Sequence, residues 1–266
     1  MNKEFRDKVV VVTGAAGIFG RWIAAHFARE GARLCLSDIR LDALEAVATE
    51  LGLDAARLML HVTELTDEAS IIELADRLRE KWSAPDIVVN NAGLYPKFSL
   101  IDMSVADWDR IFGVNLRAPF LVTREMAKLM IAAGRRGSII NISSGASRQM
   151  RKGSVPYCVS KTALERLTKG FALELAGHGI RVNVVEPGFA PGSAVSKLSD
   201  DYVTRMKARI PLGRTSGPED APAAIAFLCS DKAGFITGAV LSIDGGNSIG
   251  TFESVELGAA KGVATR

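Results

Sequence analysis

The stretch Thr13-Gly14-Ala15-Ala16-Gly17-Ile18-Phe19-Gly20 decides the fold, and it overlaps the end of the apolar run Val9–Thr13. A continuous β-branched run is typical of a strand buried on both faces of a parallel sheet. Glycines between such a strand and a helix permit a tight turn, close approach of the backbone to a pyrophosphate and close helix–strand packing. The start of the helix adds free N–H groups and the positive end of the helix dipole. The stretch therefore predicts a dinucleotide-binding turn, although a glycine cluster alone would fit any strand–helix turn.

Strand-like and helix-like segments alternate outward from this turn. The predicted strands are Val9–Thr13, Leu34–Ser37, Leu58–Val62, Ile87–Asn90, Ser138–Ile142, Val182–Val185 and Val240–Ile243. The predicted helices are Arg21–Glu30, Leu41–Leu51, Asp67–Trp82, Val105–Val114, Phe120–Ala133, Tyr157–Ala176 and Asp220–Leu228. Repeated βα units of this length predict an α/β fold, a Rossmann-type doubly wound parallel sheet of about seven strands with helices on both faces.

Composition restricts the classes of function. The 266 residues carry a net charge of only +3 without a basic block, which argues against nucleic acid as a partner. The apolar runs are too short to span a membrane, and the N-terminus has no secretion signal. Three scattered cysteines and three scattered histidines indicate a reducing, cytoplasmic setting and no metal site. We expect one catalytic domain over residues 1–247 and a tail, 248–266, that is disordered or contacts a neighbouring subunit.

Asp38 follows the second predicted strand, eighteen residues after Gly20. A carboxylate at this position can accept hydrogen bonds from both ribose hydroxyls of an adenosine and would repel a 2′-phosphate. The prediction is therefore NAD rather than NADP as the cofactor. Two points weigh against it: Asp38 could instead cap the helix that begins near Leu41, and Arg40 is a nearby cation.

Tyr157 and Lys161 are four residues apart and would share one face of a helix. A phenol titrates near pH ~10, and a nearby ammonium group stabilises the phenolate. Tyr157 could then take a proton from an alcohol or give one to a ketone. Alone, the spacing is common on solvated helices, so its meaning depends on the other motifs.

Those motifs resemble the short-chain dehydrogenase/reductase family, in its compact single-domain branch, from Lys8 to about Asn247. The matching segments are the Tyr157–Lys161 pair, Ser144 thirteen residues before Tyr157, Asn115, Asn90-Asn91-Ala92-Gly93, Pro187-Gly188, Ile236-Thr237-Gly238 and Asp244-Gly245-Gly246. The resemblance implies that Ser144 orients the substrate oxygen, Tyr157 exchanges the proton, Lys161 lowers the tyrosine pKa and binds the nicotinamide ribose, and Asn115 holds a proton-relay water.

The resemblance also implies further cofactor contacts, at Glu64, Leu65, Asn91, Ala92, Gly93, Pro187, Gly188, Ala190 and Ser193. The chain departs from the family pattern at Ile18, where compact members carry glycine, so we expect a locally altered phosphate contact. Glu64 stands where the family usually has aspartate. It could reach the adenine amino group or remain a surface carboxylate.

The substrate pocket is expected around Tyr95, Met150 and Phe189, together with Ser144 and Tyr157. The apolar bias favours an apolar or aryl-alkyl secondary alcohol. Met150 and Phe189 could instead pack the core. The cluster Arg148, Arg151 and Lys152 could bind an anion or an acyl-carrier partner, or form a solvated loop.

A lid is predicted over residues 190–217, and the family resemblance implies a homotetramer. Two other functions stay open: an NADPH-dependent 3-oxoacyl-thioester reductase, against which Asp38 argues, and a non-catalytic dinucleotide-binding sensor. The intact tyrosine, lysine and serine argue against the sensor.

Overall fold

A seven-stranded parallel sheet forms the centre of the molecule. A computed structural model describes residues 3–192 and 198–250. The strands are β1 (Val9–Thr13), β2 (Arg33–Asp38), β3 (Leu58–Val62), β4 (Ile87–Asn90), β5 (Ser138–Ile142), β6 (Arg181–Pro187) and β7 (Val240–Ile243), in the spatial order β3-β2-β1-β4-β5-β6-β7. The order reverses between β1 and β4, and ligands of such sheets bind outside the carboxyl ends of the strands at this point. The predicted Rossmann-type fold is confirmed.

Helices cover both faces of the sheet. They are α1 (Ile18–Arg29), α2 (Leu41–Leu51), α3 (Glu68–Trp82), α4 (Val105–Phe112), α5 (Ala118–Ala132), α6 (Val155–Leu175), α7 (Asp200–Ala208) and α8 (Asp220–Cys229). Alternate residues of β1 point to opposite faces: Val10 and Val12 pack in the core with α1, α2 and α8, whereas Val9 and Val11 pack in the core with α3, α5 and α6. Every residue of β1 is buried, as the β-branched run predicts.

The sequence pattern locates the strands better than the helix ends. Strands β1, β3, β4, β5 and β7 have the predicted bounds, and β2 and β6 are each longer at both ends. Helix α1 begins at Ile18 rather than Arg21, so the glycine loop is shorter than predicted. Helix α7 lies inside the region predicted as a lid, where no helix was predicted; none of its residues is buried.

A π-helical segment, Gly113–Arg117, joins α4 to α5. The sequence predicts two separate helices around this point and gives no sign of the insertion. Single π turns inside helices occur frequently at functional sites. This one contains Asn115.

The outer parts of the chain limit two predictions. The expected tail lies outside the described residues from position 251 onward, and the expected lid lies outside them over 193–197. Within residues 3–192 and 198–250, no helix combines the length and the apolar character needed to cross a membrane.

Candidate active site

The turn between β1 and α1 is built around two glycines that have no room for a side chain. Gly14 has a φ of +62°, and a Cβ atom there would lie 2.8 Å from the Cα of Ala92. A Cβ atom on Gly20 would overlap the carbonyl oxygen of Gly14 and lie 2.7 Å from the Cα of Ala15. Gly17 is different, because it is exposed, has a φ of −74° and forms the N-cap of α1. The family's middle glycine is therefore replaced by Ile18, the first residue of the helix.

Asn91 and Ala92 hold this turn against β4. The Asn91 side-chain amide donates to the carbonyl oxygens of Thr13 (3.0 Å) and Gly14 (2.9 Å), and its backbone N–H donates to the Thr13 hydroxyl (3.1 Å). The Asn90–Gly93 segment therefore joins the end of β4 to the end of β1. The turn leaves the first N–H groups of α1, at Ile18, Phe19 and Gly20, without intrahelical acceptors, as an anion site needs.

Asp38 lies beside this turn at the end of β2. One carboxylate oxygen accepts from the N–H of Ala16 (3.1 Å) and the other from the N–H of Arg40 (3.3 Å). Each oxygen keeps an unused lone pair, and the side chain is half-buried. The N-cap of α2 is Arg40, and no side chain caps it. The carboxylate is thus fixed next to the glycine turn, and the residues fit a dinucleotide.

Glu64 and Leu65, the predicted adenine contacts, follow the end of β3. Glu64 is exposed, and its carboxylate accepts from the backbone N–H (2.9 Å) and hydroxyl (2.7 Å) of Thr66. This local turn agrees with the surface-carboxylate alternative. Leu65 is half-buried and lines a small cavity with Thr13 and Ala92.

Ser144 and Tyr157 come together at the carboxyl end of β5. Ser144 begins the short 3-10 turn after this strand, and its hydroxyl accepts from the N–H of Ala146 (3.2 Å). Tyr157 lies in the first turn of α6 and is hydrogen-bonded to Ser144. Burial raises the pKa of Tyr157, and the Ser144 hydrogen bond and the charge of Arg151 oppose that rise.

Lys161 lies one helical turn further along α6, and its ammonium group is buried. Lys161 Nζ donates to the carbonyl oxygen of Ile142 (2.8 Å) and lies 5.9 Å from the centroid of the Tyr157 ring. Burial lowers the pKa of Lys161 to about 8. Burial is the largest influence on the pKa of Tyr157, and Arg151 is a cation that opposes it. The lowering of the tyrosine pKa by Lys161 stays a prediction.

Asn115 is fully buried beneath the same site. Its Oδ1 accepts from the N–H of Leu94 (2.7 Å), and its Nδ2 donates to the Leu94 carbonyl oxygen (2.8 Å) and to the Ser160 hydroxyl (3.1 Å). Both amide protons are therefore committed to protein acceptors. The side chain holds the segment after β4 against α6, and it has no free proton to donate to a relay water.

The predicted nicotinamide side lies between β6 and β7. The N–H of Gly188 donates to the carbonyl oxygen of Ile243 (2.8 Å), and a Cβ atom on Gly188 would lie 2.9 Å from the Cα of Asp244. Pro187 and Ala190 flank this contact and are half-buried. Ser193 lies outside the described residues.

Of the predicted substrate residues, Tyr95 lies next to Tyr157, and Phe189 lies next to Tyr202 of α7. The ring centroids of Tyr95 and Tyr157 are 6.2 Å apart, and those of Phe189 and Tyr202 are also 6.2 Å apart. The Met150 side chain is 65% exposed, so it does not pack in the core. Tyr202, on α7, was not predicted, because its helix was not.

A buried carboxylate behind the serine turn was also missed. Glu186 has no solvent exposure and accepts from Ser147 Oγ (2.8 Å), Arg148 Nη2 (2.6 Å) and the Ser242 hydroxyl. Arg148 is thus engaged within the fold, unlike the free cation considered above. A glutamate inside the apolar strand Val182–Pro187 was the available signal.

This geometry defines a nicotinamide-dependent oxidoreductase, and comparison with known proteins identifies its family. A family model described as enoyl-(acyl carrier protein) reductase matches residues 14–248. The 3-oxoacyl-[acyl-carrier-protein] reductase FabG of Thermotoga maritima is 37% identical over 91% of this chain and 98% of its own length. The cis-4-hydroxycyclohexanecarboxylate dehydrogenase of Sinomonas cyclohexanicum is 38% identical over 92% of this chain and 98% of its own length.

One solved structure is similar to this chain in both fold and sequence. It is a putative NAD(P)-dependent gluconate 5-dehydrogenase from Beutenbergia cavernae with bound NADP at low occupancy, with a TM-score of 0.85 and 32% identity over 94% of this chain and 100% of that one. The chain belongs to the short-chain dehydrogenase/reductase family. It is an oxidoreductase that acts on CH–OH donors and binds a nicotinamide dinucleotide.

Proposed function

We propose that this protein is an NAD(H)-dependent dehydrogenase that interconverts a secondary alcohol with an apolar body and the corresponding ketone. The observation that carries the cofactor preference is the position of Asp38. Its carboxylate is fixed by the N–H groups of Ala16 and Arg40 beside the glycine turn. A fixed negative charge there accepts ribose hydroxyls and repels a 2′-phosphate.

The proposed proton chemistry uses Tyr157 and Ser144. When bound, the nicotinamide ring accepts or supplies the hydride, while the protein orients the substrate and moves the proton. The Ser144 hydroxyl, hydrogen-bonded to the phenol, orients the substrate oxygen. Tyr157 takes the hydroxyl proton during oxidation and returns it during reduction. Tyr95 lies next to Tyr157 and supplies apolar surface, and the exposed Met150 in the loop before α6 is proposed to add to it.

Cofactor titration together with turnover tests this proposal. NADH and NADPH binding would be followed by nicotinamide fluorescence, with alicyclic and aryl ketones as substrates. We expect tighter binding of NADH, a reversal or loss of that preference in Asp38→Ala, and loss of turnover in Tyr157→Phe with cofactor binding retained. Tighter binding of NADPH by the wild type, or full activity of Tyr157→Phe, would contradict the proposal.

The FabG relative supports a second candidate, reduction of 3-oxoacyl thioesters. Its identity of 37% is close to the 38% of the alicyclic hydroxy-acid dehydrogenase, so sequence similarity does not separate the two. A 3-oxoacyl-CoA in the same ketone panel separates them. Turnover of that thioester with NADPH, and of no free ketone, would favour the reductase.

We further propose that the chain forms a homotetramer through two apolar surfaces. One is a groove between α4–α5 and α6 that includes Phe112, Phe120 and Leu167, with Asp109 and Arg166 at its edges. Its opposite charges suit a two-fold pairing, in which each charge meets its opposite on a second copy. The other surface carries Phe227, Phe235 and Val240 near β7. Light scattering should give four times the chain mass, and Phe120→Glu should lower it to a dimer; a monomeric wild type would contradict this.

A further inference from the structure

Three cationic side chains lie on the two segments that flank Tyr157. They are Lys97, from the segment after β4, and Arg151 and Lys152, from the loop between Ser144 and α6. The two segments lie side by side, because the N–H of Phe98 donates to the carbonyl oxygen of Gly153 (2.9 Å). All three side chains are exposed. We call these three residues the cationic rim.

The rim has no carboxylate partners in the part of the chain that the structure describes. No ion pair there involves Lys97, Arg151 or Lys152, whereas the neighbouring Arg148 is paired with the buried Glu186. Unpaired charges of one sign at the edge of a cleft raise the local concentration of oppositely charged ligands. The rim is therefore suited to an anion that enters the cleft.

The segment that carries Lys97 reaches the reacting phenol, because the ring centroid of Tyr95, two residues before Lys97, lies 6.2 Å from that of Tyr157. The charge of Arg151 opposes the burial that raises the pKa of Tyr157, so its field reaches the reacting phenol. Lys97 Nζ lies 5.7 Å from the centroid of the Tyr202 ring, and that ring contacts Phe189. Lys97 thus lies where the segment after β4 meets α7.

The wall inside the rim is apolar, with Tyr95 beside Tyr157 and Phe189 beside Tyr202. Resting on the proposed alcohol–ketone chemistry, we propose that the substrate is a hydroxy or keto compound whose apolar body contacts this wall and whose oxyanion binds Arg151, assisted by Lys97 and Lys152. An arginine fork binds a carboxylate or a phosphate in a bidentate manner. The oxyanion could be the substrate's own carboxylate or a phosphate of a thioester carrier.

Matched charged and uncharged ketones test the rim. The probes are 4-oxocyclohexanecarboxylate, its methyl ester and acetoacetyl-CoA, each with wild type, Arg151→Gln, Lys97→Gln and Lys152→Gln. Lys169→Gln, which removes an exposed cation of α6, is the control. We expect Arg151→Gln to raise KM for the anionic substrate about tenfold with little change for the ester, since hydrogen bonds to charged groups are the stronger ones. Added salt should raise the same KM because the rim is exposed.

The probes also identify the source of the oxyanion. An Arg151-dependent KM for the free acid assigns the substrate's own carboxylate, and the same dependence for the CoA ester alone assigns a carrier phosphate. The proposed role of the cationic rim would be overturned if the wild type had equal KM values for the acid and the ester. It would also be overturned if Arg151→Gln raised both KM values equally. Calorimetry on the protein with NADH separates the two proposals. Arg151-dependent binding of the acid without turnover would leave the rim standing and defeat the proposed function.

Discussion

The guanidinium group of Arg148 lies 2.6 Å from the carboxylate of Glu186, a residue with no solvent exposure. The same Nη2 atom also lies within hydrogen-bond distance of the hydroxyl oxygens of Ser242 (2.7 Å) and Ser248 (2.6 Å). Because Arg148 follows Ser144 by four residues, it connects the serine turn to β6, to β7 and to the segment after β7. A buried carboxylate needs such partners to remain charged.

Removing the arginine should therefore destabilise the fold. Arg148→Met leaves the buried Glu186 without its charged partner. We expect the free energy of unfolding to fall by about 1–3 kcal/mol. This loss is smaller than that for fully buried pairs because Arg148 is partly exposed. Urea denaturation would measure it. Arg6→Met, at an exposed arginine without an ion pair among the described residues, is the control and should change stability by less than about 0.5 kcal/mol.

A double variant separates the loss of a partner from the loss of packing. If the cost arises from the uncompensated Glu186 charge, Arg148→Met combined with Glu186→Gln should be more stable than Arg148→Met alone. If the double variant loses as much unfolding free energy as the two single variants together, the two side chains act independently.

Glu165 on α6 forms a second carboxylate contact with this network and should respond to pH. Burial is the main cause that raises the pKa of Glu165 above its ordinary 4.5, and the nearby charge of Glu186 adds to this rise. Hydrogen bonds from Ser147 and Ser143 oppose it. A carboxyl group with a raised folded-state pKa stabilises the protein when protonated, and this stability is lost as pH rises through that pKa. Glu165→Gln should therefore be more stable than wild type at pH 8, with a difference that shrinks towards pH 4. Denaturation midpoints that differ equally at both pH values would contradict it.

The sequence predicted the parts of this site that depend on local pattern. The buried β-branched run and its glycines placed β1 and the turn, and the family resemblance selected Ser144 and Tyr157, which come together at the carboxyl end of β5. Helix α7 was not predicted because it is short, rich in charged residues and has no buried residue. The Arg148–Glu186 pair was not predicted because its partners are 38 positions apart, and only the pairing of β5 with β6 brings them together. The hydrogen bond from Lys161 to the Ile142 carbonyl oxygen was not predicted, because residue spacing indicates a helix face but not a hydrogen-bond acceptor.

Lys161 should control the pH dependence of turnover. Its pKa is lowered to about 8 by burial, and it lies one turn from the proton-transferring phenol. Oxidation needs a proton acceptor, so we expect kcat/KM for the alcohol to rise with pH through an apparent pKa near 8 that belongs to the Tyr157–Lys161 pair. Lys161→Met should lose about 10²-fold in activity together with that inflection. An unchanged inflection in the variant would assign it to another group.

The same lysine makes a separate prediction for stability. The charged form is disfavoured in the fold, so Lys161 costs stability below its folded-state pKa, and the cost disappears as pH rises from about 8 towards its ordinary 10.5. The free energy of unfolding of the wild type should rise relative to that of Lys161→Met over this interval. A constant difference would show that the Ile142 hydrogen bond, and not burial, sets the lysine's contribution.

The glycine turn distinguishes packing glycines from the one that only begins a helix. Gly20→Ala forces a Cβ atom into the backbone of Gly14 and Ala15, so we expect a loss of about 1–3 kcal/mol in unfolding free energy together with weaker NADH binding. Gly17→Ala is the matched control, because its φ of −74° suits alanine and its nearest neighbour, the Gly14 carbonyl oxygen, would lie 3.3 Å away. That variant should change stability by less than about 1 kcal/mol. Equal losses in both variants would mean that Gly17 has taken over the packing role of the family's middle glycine, despite its position at the N-cap of α1.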